Sequence, residues 1–480
     1  MKWTLGLALS GLAIAGAILV KPALAAGLVG VAVVAVAAVV HPDRYRRGYG
    51  ALLAVVLVGY AMLGRGFAYV GVEPLYIGEM ALGLGLVALL ASDRGLGRTL
   101  RSPIVGLLLA YMTWGAWRTI PYLGTHGVGA LRDAVLWGYT AFAVIVAALL
   151  LAGEGWRRVP EGYRRWLPWL LVWLPFGYLA STIWIERLPR MPGTDVTIPL
   201  LKPGDVAVHL AGAGAFLLLG LWDLRDRRRA WLEWVLWGLW ALTFVAAATK
   251  NRGGMVAVVV ALGLVMVLRP SWRWFKIGMA GATLLAVLVA ADVRVDIPGE
   301  RDISARQLAR NAVSVVGDET GSESLQGTAD WRRRWWGDIV DYTVFGPYFW
   351  SGKGFGINLA NADGYQVDWM DESLRSPHNG HLTVLARAGV PGFVLWILLH
   401  GFFGVSLLLA HFRARREGRE GWARIDLWIL AYWTAFMVNA TFDVFLEGPM
   451  GGIWFWSLMG GGIAALEIQR RLPHAAEARA

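Results

Sequence analysis

The sequence predicts an all-α polytopic membrane protein. It reads as a bundle of about fourteen transmembrane helices (12–14), with one long loop on the outer side that carries short helices. Three observations predict this. Of 480 residues, 57% are hydrophobic and 16% charged, where a soluble domain has roughly 45–50% apolar and about 25% charged residues. Apolar runs near membrane-spanning length recur along the whole chain. These runs are continuous and do not alternate with period two, which excludes a transmembrane barrel, and the apolar content excludes disorder. The chain has no cysteine, so disulfides, thiolate metal sites and cysteine nucleophiles are excluded too.

The spans lie near 3–20, 23–40, 49–68, 74–92, 102–117, 130–152, 167–184, 205–222, 231–248, 253–268, 274–292, 391–411, 425–440 and 447–466. One set of alternate connections, with the two termini, holds 26 of the 45 Lys and Arg residues, among them Arg44, Arg98, Arg157 and Arg413. The other short connections hold nine. The positive-inside rule places the rich set, and both termini, in the cytoplasm. The net charge of +11 is therefore a topology signal and a contact with anionic lipid headgroups. A nucleic-acid partner would need the charge on one surface with base-stacking aromatics, and is not expected. The 27 tryptophans fit the interfacial belt. Residues 1–25 have the look of a signal peptide, with Lys2 before an apolar core and Ala23 and Ala25 after it; they are read as a retained first span followed by a Lys21-Pro22 turn. Three regions follow: an N-terminal bundle of about eleven spans (1–292), a long outer loop (293–390), and about three C-terminal spans with a cytoplasmic tail (391–480). A loop of nearly 100 residues is far longer than a connection needs, so function is expected at the outer face around it.

That face carries several constellations. Ser376-Pro377-His378-Asn379-Gly380-His381 precedes the apolar run Leu382–Leu385 and reads as a helix N-terminus. The positive end of a helix favours a neutral imidazole, the form a general base requires. The alternative is two interfacial histidines with structural hydrogen bonds. Lys250-Asn251-Arg252-Gly253-Gly254 is a tight turn between two spans, with two cations on the depleted side. Its glycines allow close backbone approach, and its arginine can grip phosphate oxygens in a planar fork; a snorkelling pair anchoring the hairpin is the alternative. Asp330-Trp331-Arg332-Arg333-Arg334-Trp335-Trp336 opens a helix that either lies flat on the membrane or caps the bundle. Gly352-Lys353-Gly354-Phe355-Gly356 lacks the Gly-Lys-Ser/Thr of a P-loop and reads as a tight turn. Lys202-Pro203-Gly204-Asp205 with His209 starts another span. Arg65–Glu79 and Arg132–Asp133 read as structural pairs at membrane depth. Asp363, Asp368, Asp371 and Glu372 precede His378 and read as a solvated acidic stretch, with carboxylate acid/base chemistry as the rival.

Together these features resemble the O-antigen ligase/O-antigen polymerase superfamily of bacterial membrane glycosyltransferases. The resemblance rests on Pro377-His378-Asn379 followed by Leu385-Ala386-Arg387-Ala388-Gly389-Val390-Pro391-Gly392, on Arg252-Gly253-Gly254, and on Arg332 to Trp336 followed by Pro347 and Gly354-Phe355-Gly356. It covers roughly residues 205–410. The family usually has about twelve spans, fewer than are read here. The resemblance implies a multi-pass protein of the bacterial inner membrane with its site on the periplasmic side. It implies a glycan donor on undecaprenyl diphosphate and transfer to a sugar hydroxyl of lipid A-core or another glycan, inverting, without metal or cofactor. Arg252 and Arg332 would then hold the diphosphate and His378 would act as general base. Asn379 and His381 would orient the base, and Lys250 and Lys353 would make further substrate contacts. Polymerisation of the glycan, or transfer to a protein hydroxyl, is the alternative within the superfamily. A polysaccharide-lipid transporter is the alternative outside it, and would predict inverted repeats and midplane charges.

Overall fold

The computed structural model describes residues 38–472 apart from 39, 74, 91–92, 154, 223–229, 292–293, 296–302, 305–306, 309–310, 312–322 and 367–373. The spans expected at 3–20 and 23–40 therefore lie outside the described residues but for Ala38 and Val40, as do Asp368, Asp371 and Glu372 of the acidic stretch. The protein is an all-α membrane protein. Its helices are α1 (Pro42–Leu63), α2 (Ile77–Leu90), α3 (Asp93–Thr99), α4 (Pro103–His126), α5 (Val128–Gly138), α6 (Ala141–Ala152), α7 (Arg158–Ile183), α8 (Pro203–Leu218), α9 (Ala230–Lys250), α10 (Arg252–Leu268), α11 (Trp272–Ala290), α12 (Glu323–Val344), α13 (Leu359–Asp363), α14 (Gly380–Arg416), α15 (Glu420–Ala440) and α16 (Pro449–Gln469). Two antiparallel ribbons of two-residue strands accompany them, with Gly71 facing Tyr76 in one and Arg294 facing Ser304 in the other.

Among the described residues, four helical segments are long and apolar enough to cross a membrane: Pro42–Leu63, Gly155–Ile183, Trp231–Lys250 and Gly380–Arg416. The pair α5 and α6, bent by 43°, makes a fifth, and α2, α8 and α10 are shorter apolar helices. The expected span at 130–152 is thus two helices with a bend between them. Helices α1, α4, α8 and α16 each carry proline at the first or second position, where its missing N–H would have lacked a helical partner anyway. Every residue of α8 from Gly204 to Leu218 is buried, as expected of a helix that is apolar all round. Helices α10 and α15 pack on α8, α14 packs on α15, and α16 packs on α6. Large apolar side chains on the outside of the bundle, such as Trp169, Val259, Val267 and Ile397, are exposed.

The element that positions the site is α14. It breaks at Gly389, with φ 69° and ψ −175°, a left-handed region in which only glycine is unstrained. Pro391, two residues on, has no N–H to offer. The break frees carbonyls that an apolar interior cannot leave unpaired. Lys353 N–H donates to Ala386 O at 2.7 Å, Gly354 N–H to Arg387 O at 3.1 Å, and the Trp114 indole N–H to Ala388 O at 2.8 Å. In return, Val390 N–H donates to Phe349 O at 2.8 Å. The glycine-rich turn thus clasps the kink of α14. The expected boundary at 390 falls at this kink, and the helix itself starts earlier, at Gly380.

Helix α12 packs on α14 through Trp335 and Ile339, which join Leu359, Ala360, Leu385 and Ala386 in a second apolar cluster. Below it, Arg387 is buried and pairs with Asp133 (Nη1–Oδ2 2.8 Å), while also donating to Ile357 O at 3.1 Å. Arg375 reaches the same carboxylate at 3.2 Å, and Gly356 N–H donates to it at 2.8 Å. Asp133 is therefore held by Arg387 and Arg375, not by its neighbour Arg132 as the sequence reading had it. The side chain of Glu79 accepts from the Tyr139 hydroxyl at 2.6 Å.

Removing one partner of a buried ion pair strands the other charge. Arg387→Met is expected to destabilise the protein by about 3–5 kcal/mol, read from denaturant or thermal unfolding in detergent. Arg132→Ala should change stability by less than ~1 kcal/mol. Equal effects of the two would overturn this assignment.

Candidate functional site

The site forms where helix ends meet. Helix α14 begins at Gly380 and the antiparallel α15 ends at Ala440, so the residues before the one and after the other lie at the same end of the bundle. The turn between α9 and α10 and the start of α8 reach that end as well. A Cβ on Gly380 would lie 3.5 Å from Ala440 O and 3.8 Å from Asp443 O.

His378 stands just before the N-cap of α14. Its φ of 51° makes it the one non-glycine residue with positive φ among the described residues, a conformation that persists only where the surroundings enforce it. Trp336 of α12 supplies part of that enforcement, its indole N–H donating to Pro377 O at 2.8 Å. The N-cap Asn379 supplies another part. Its side-chain oxygen accepts from His381 N–H at 3.0 Å and from Leu382 N–H at 3.1 Å. The His378 ring faces Asp443, with Nδ1 3.8 Å from Oδ1.

Arg332 comes to the same place from α12. Its Nη1 donates to Phe442 O at 3.4 Å, and its Nε is buried without a hydrogen-bond partner. Burial pulls the guanidinium below its usual value, and Asp443 opposes that pull. Arg252 opens α10 behind the N-cap Asn251, whose side chain accepts from Gly254 N–H at 2.7 Å. Gly253 lies hard against the segment that carries Asp443: a Cβ there would be 2.5 Å from Phe442 Cβ. The Arg252 Nε donates to Asn311 Oδ1 at 3.4 Å. Three motifs far apart in the chain, around residues 252, 332 and 378, therefore converge on Phe442 and Asp443.

Asp443 had no place in the sequence reading, which treated 441–446 as a plain connection. The available signal was an acidic residue between two closely spaced apolar runs. Burial pushes its carboxyl up, but the His378 ring, the charge of Lys202 and the Val444 N–H (2.8 Å) outweigh this and hold it below the usual carboxylate value.

The remaining sequence candidates divide. Lys250 ends α9, one residue from the Asn251 cap. His381 is fully engaged: its Nδ1 accepts from the Trp396 indole N–H at 3.1 Å, so its Nε2–H donates to Met437 O at 3.0 Å. Lys353 pairs with Asp363 and lies over the Tyr342 ring, 4.2 Å from its centroid. Asp363 also accepts from the Trp335 indole at 2.6 Å and the Tyr342 hydroxyl at 3.2 Å, so its oxygens serve α12 and the glycine turn rather than His378. His209 is buried against the Tyr432 hydroxyl at 2.6 Å. Among the described residues no group of three or more His, Cys, Asp or Glu side chains is arranged to hold a metal ion.

Fold and site together define a multi-pass helical membrane protein that gathers an imidazole, a carboxylate and arginines at one end of its bundle. Residues 237–397 match the family model described as O-Antigen ligase, which agrees with the superfamily the chain's motifs resemble. The matched segment contains Arg252, Arg332 and His378, whereas Lys202, Asp205 and Asp443 lie outside it. No curated protein matches the chain.

The Asp443 pairing has a pH signature. A carboxylate whose folded value is depressed contributes stability that is fully present above its unfolded value, about 3.9, and is lost as pH falls through the depressed folded value. The thermal midpoint in detergent is expected to fall across that acid window. Asp443→Asn should flatten the fall, and a variant with the wild-type slope would remove the pairing.

Proposed function

We propose that the protein is an O-antigen ligase-like glycosyltransferase of the bacterial inner membrane. It moves a glycan from undecaprenyl diphosphate to a sugar hydroxyl, on lipid A-core, at the periplasmic face of a bundle of about fourteen spans with both termini inside. The observation that carries this reading is the convergence of His378, Arg332 and the Arg252 turn on Phe442–Asp443. The acceptor oxygen attacks the anomeric carbon from the face opposite the lipid phosphate, so the centre inverts. Its proton passes to His378. The bond between the anomeric carbon and the phosphate oxygen breaks, and its electron pair leaves with the diphosphate. Asp443 stabilises the imidazolium that results, as a carboxylate behind a histidine does in other proton-transfer sites. Arg332, with its buried unpartnered Nε, and Arg252 meet the charge growing on the leaving group, where fixed donors are worth most. Diphosphate leaves readily, so no general acid is required.

The supporting roles follow from the contacts. Asn379 and His381 hold the strained turn that aims His378. Lys250 is placed for a further phosphate contact. Lys353 already serves Asp363 and Tyr342, so its part in substrate binding is the weaker one.

The reading is tested by reconstituting the purified protein with undecaprenyl-diphosphate glycan and lipid A-core. His378→Ala should lower turnover by about 10²–10⁴-fold, and Arg252→Ala or Arg332→Ala by about 10²–10³-fold, with the variants folded and inserted. EDTA should leave the rate unchanged. Retained turnover in His378→Ala removes the base, and strong metal dependence contradicts the arginine mechanism. In a null strain, loss of capped lipopolysaccharide with long lipid-linked polymer retained supports ligation. Loss of chain length instead would assign the protein to polymerisation.

A further inference from the structure

Next to the His378–Asp443 pair lies a cluster of buried polar groups that the fold leaves unsatisfied. Asn439 is fully buried, and neither its side-chain oxygen nor its nitrogen has a hydrogen-bond partner. Asp205 is 6% exposed, and its Oδ2 is equally unpartnered. The two come from different helices, the last turn of α15 and the first turn of α8. They are brought together at Gly204, where a Cβ would stand 3.2 Å from Asn439 Oδ1 and 3.2 Å from Asn251 Nδ2. The cluster adjoins the site directly: Asn439 O accepts from Phe442 N–H at 2.9 Å and from Asp443 N–H at 3.1 Å. Lys202, at the start of α8, exerts its charge on both Asp205 and Asp443.

Buried polar groups in native proteins are nearly always paired, and an exception points to a strained or functional place. Here three helix ends contribute polar side chains to one spot. We propose that Asp205, Asn439 and Asn251, with Lys202 at the edge, form a sugar-binding subsite that takes the hydroxyls of the acceptor beside His378. The composition selects this ligand. A carboxylate accepts hydroxyl protons, and an amide both donates and accepts, so the set matches a neutral polyol. The Asp205 carboxylate disfavours phosphate, which the Arg252 and Arg332 side of the site serves. The Lys202 ammonium beside Asp205 and Asp443 disfavours a metal cation. A sugar seated here places a hydroxyl at the imidazole without spending the arginines on it. The inference rests on the transfer reading and adds to it a binding place for the acceptor.

The Asn439 amide can be removed without stranding a hydrogen-bond partner, and Asp205→Asn keeps the shape of the side chain, so Asn439→Leu and Asp205→Asn should both fold. The test uses the full chain in nanodiscs, titrated with core oligosaccharide released from lipopolysaccharide by mild acid and followed by saturation-transfer NMR. Each variant should bind the oligosaccharide at least tenfold more weakly. In the transfer assay, KM for the acceptor should rise while KM for the lipid-linked donor stays unchanged. Should Asn439→Leu fail to fold, Asn439→Asp is read in its place and should weaken binding likewise. Wild-type affinity in both variants, no sugar signal from the wild type, or a rise confined to the donor KM would each overturn the subsite. Sugar binding lost in the variants of a protein that transfers no glycan would instead leave the subsite standing and remove the transfer reading.

Discussion

The structure depends on how the break in α14 is satisfied. A helix interrupted in apolar surroundings exposes carbonyls to a medium that cannot hydrogen-bond them, and such irregular backbone survives only where other protein groups take over. Here the Lys353 and Gly354 N–H groups and the Trp114 indole take the carbonyls of 386, 387 and 388, while Arg387 ties the same stretch to Asp133. The glycine turn, α4 and the middle of α5 are thereby locked to the first part of α14. The segment released from the main axis of the helix is the one that begins at His378. A straight helix would make these bonds internally and would have no reason to recruit the loop.

What the sequence disclosed and what it hid separate along this line. The apolar runs are legible because the bilayer demands them: each expected run from 49–68 onward falls on a described helix or helix pair, and four helices and one bent pair among them are long and apolar enough to cross a membrane. The motifs at 252, 332 and 378 are legible because arginine or histidine there sits in local patterns with glycine, tryptophan or a helix start. Contacts between remote segments were not legible. Arg132 and Asp133 are neighbours in the chain, but residues i and i+1 of a helix point to different faces, and α14 brings Arg387 to the carboxylate instead. Lys353 is expected from the resemblance to contact substrate, yet its backbone N–H is committed to the kink and its side chain to Asp363. Asp443 was missed because a lone acidic residue in a six-residue connection has no pattern around it. Only the antiparallel meeting of α14 and α15 gives it meaning.

Charge balance explains why the site holds together before any ligand arrives. Arg332 and Lys202 are both basic and both act on Asp443, so one carboxylate opposes cations from two different elements and faces His378 as well. Water does not screen such partly buried charges as it screens surface pairs. The carboxylate keeps the cations close without neutralising them all. On the proposed transfer reading, a diphosphate would therefore meet a positive field that is already oriented, with little reorganisation as charge develops on it.

The unsatisfied groups at Asn439 and Asp205 fit the same logic from the opposite side. Evolution could replace a buried, unpaired amide with leucine and gain stability, since nothing in the fold relies on it. Natural proteins depart from that optimum mainly where function needs a group the fold does not. The strained φ of His378 is a second such departure, and its ring faces the same Asp443. Two local costs of different kinds, one in backbone conformation and one in unmet hydrogen bonds, flank a single carboxylate. Independent accidents of packing would not be expected to fall so close together, whereas a site that must seat a hydroxyl and remove its proton needs both.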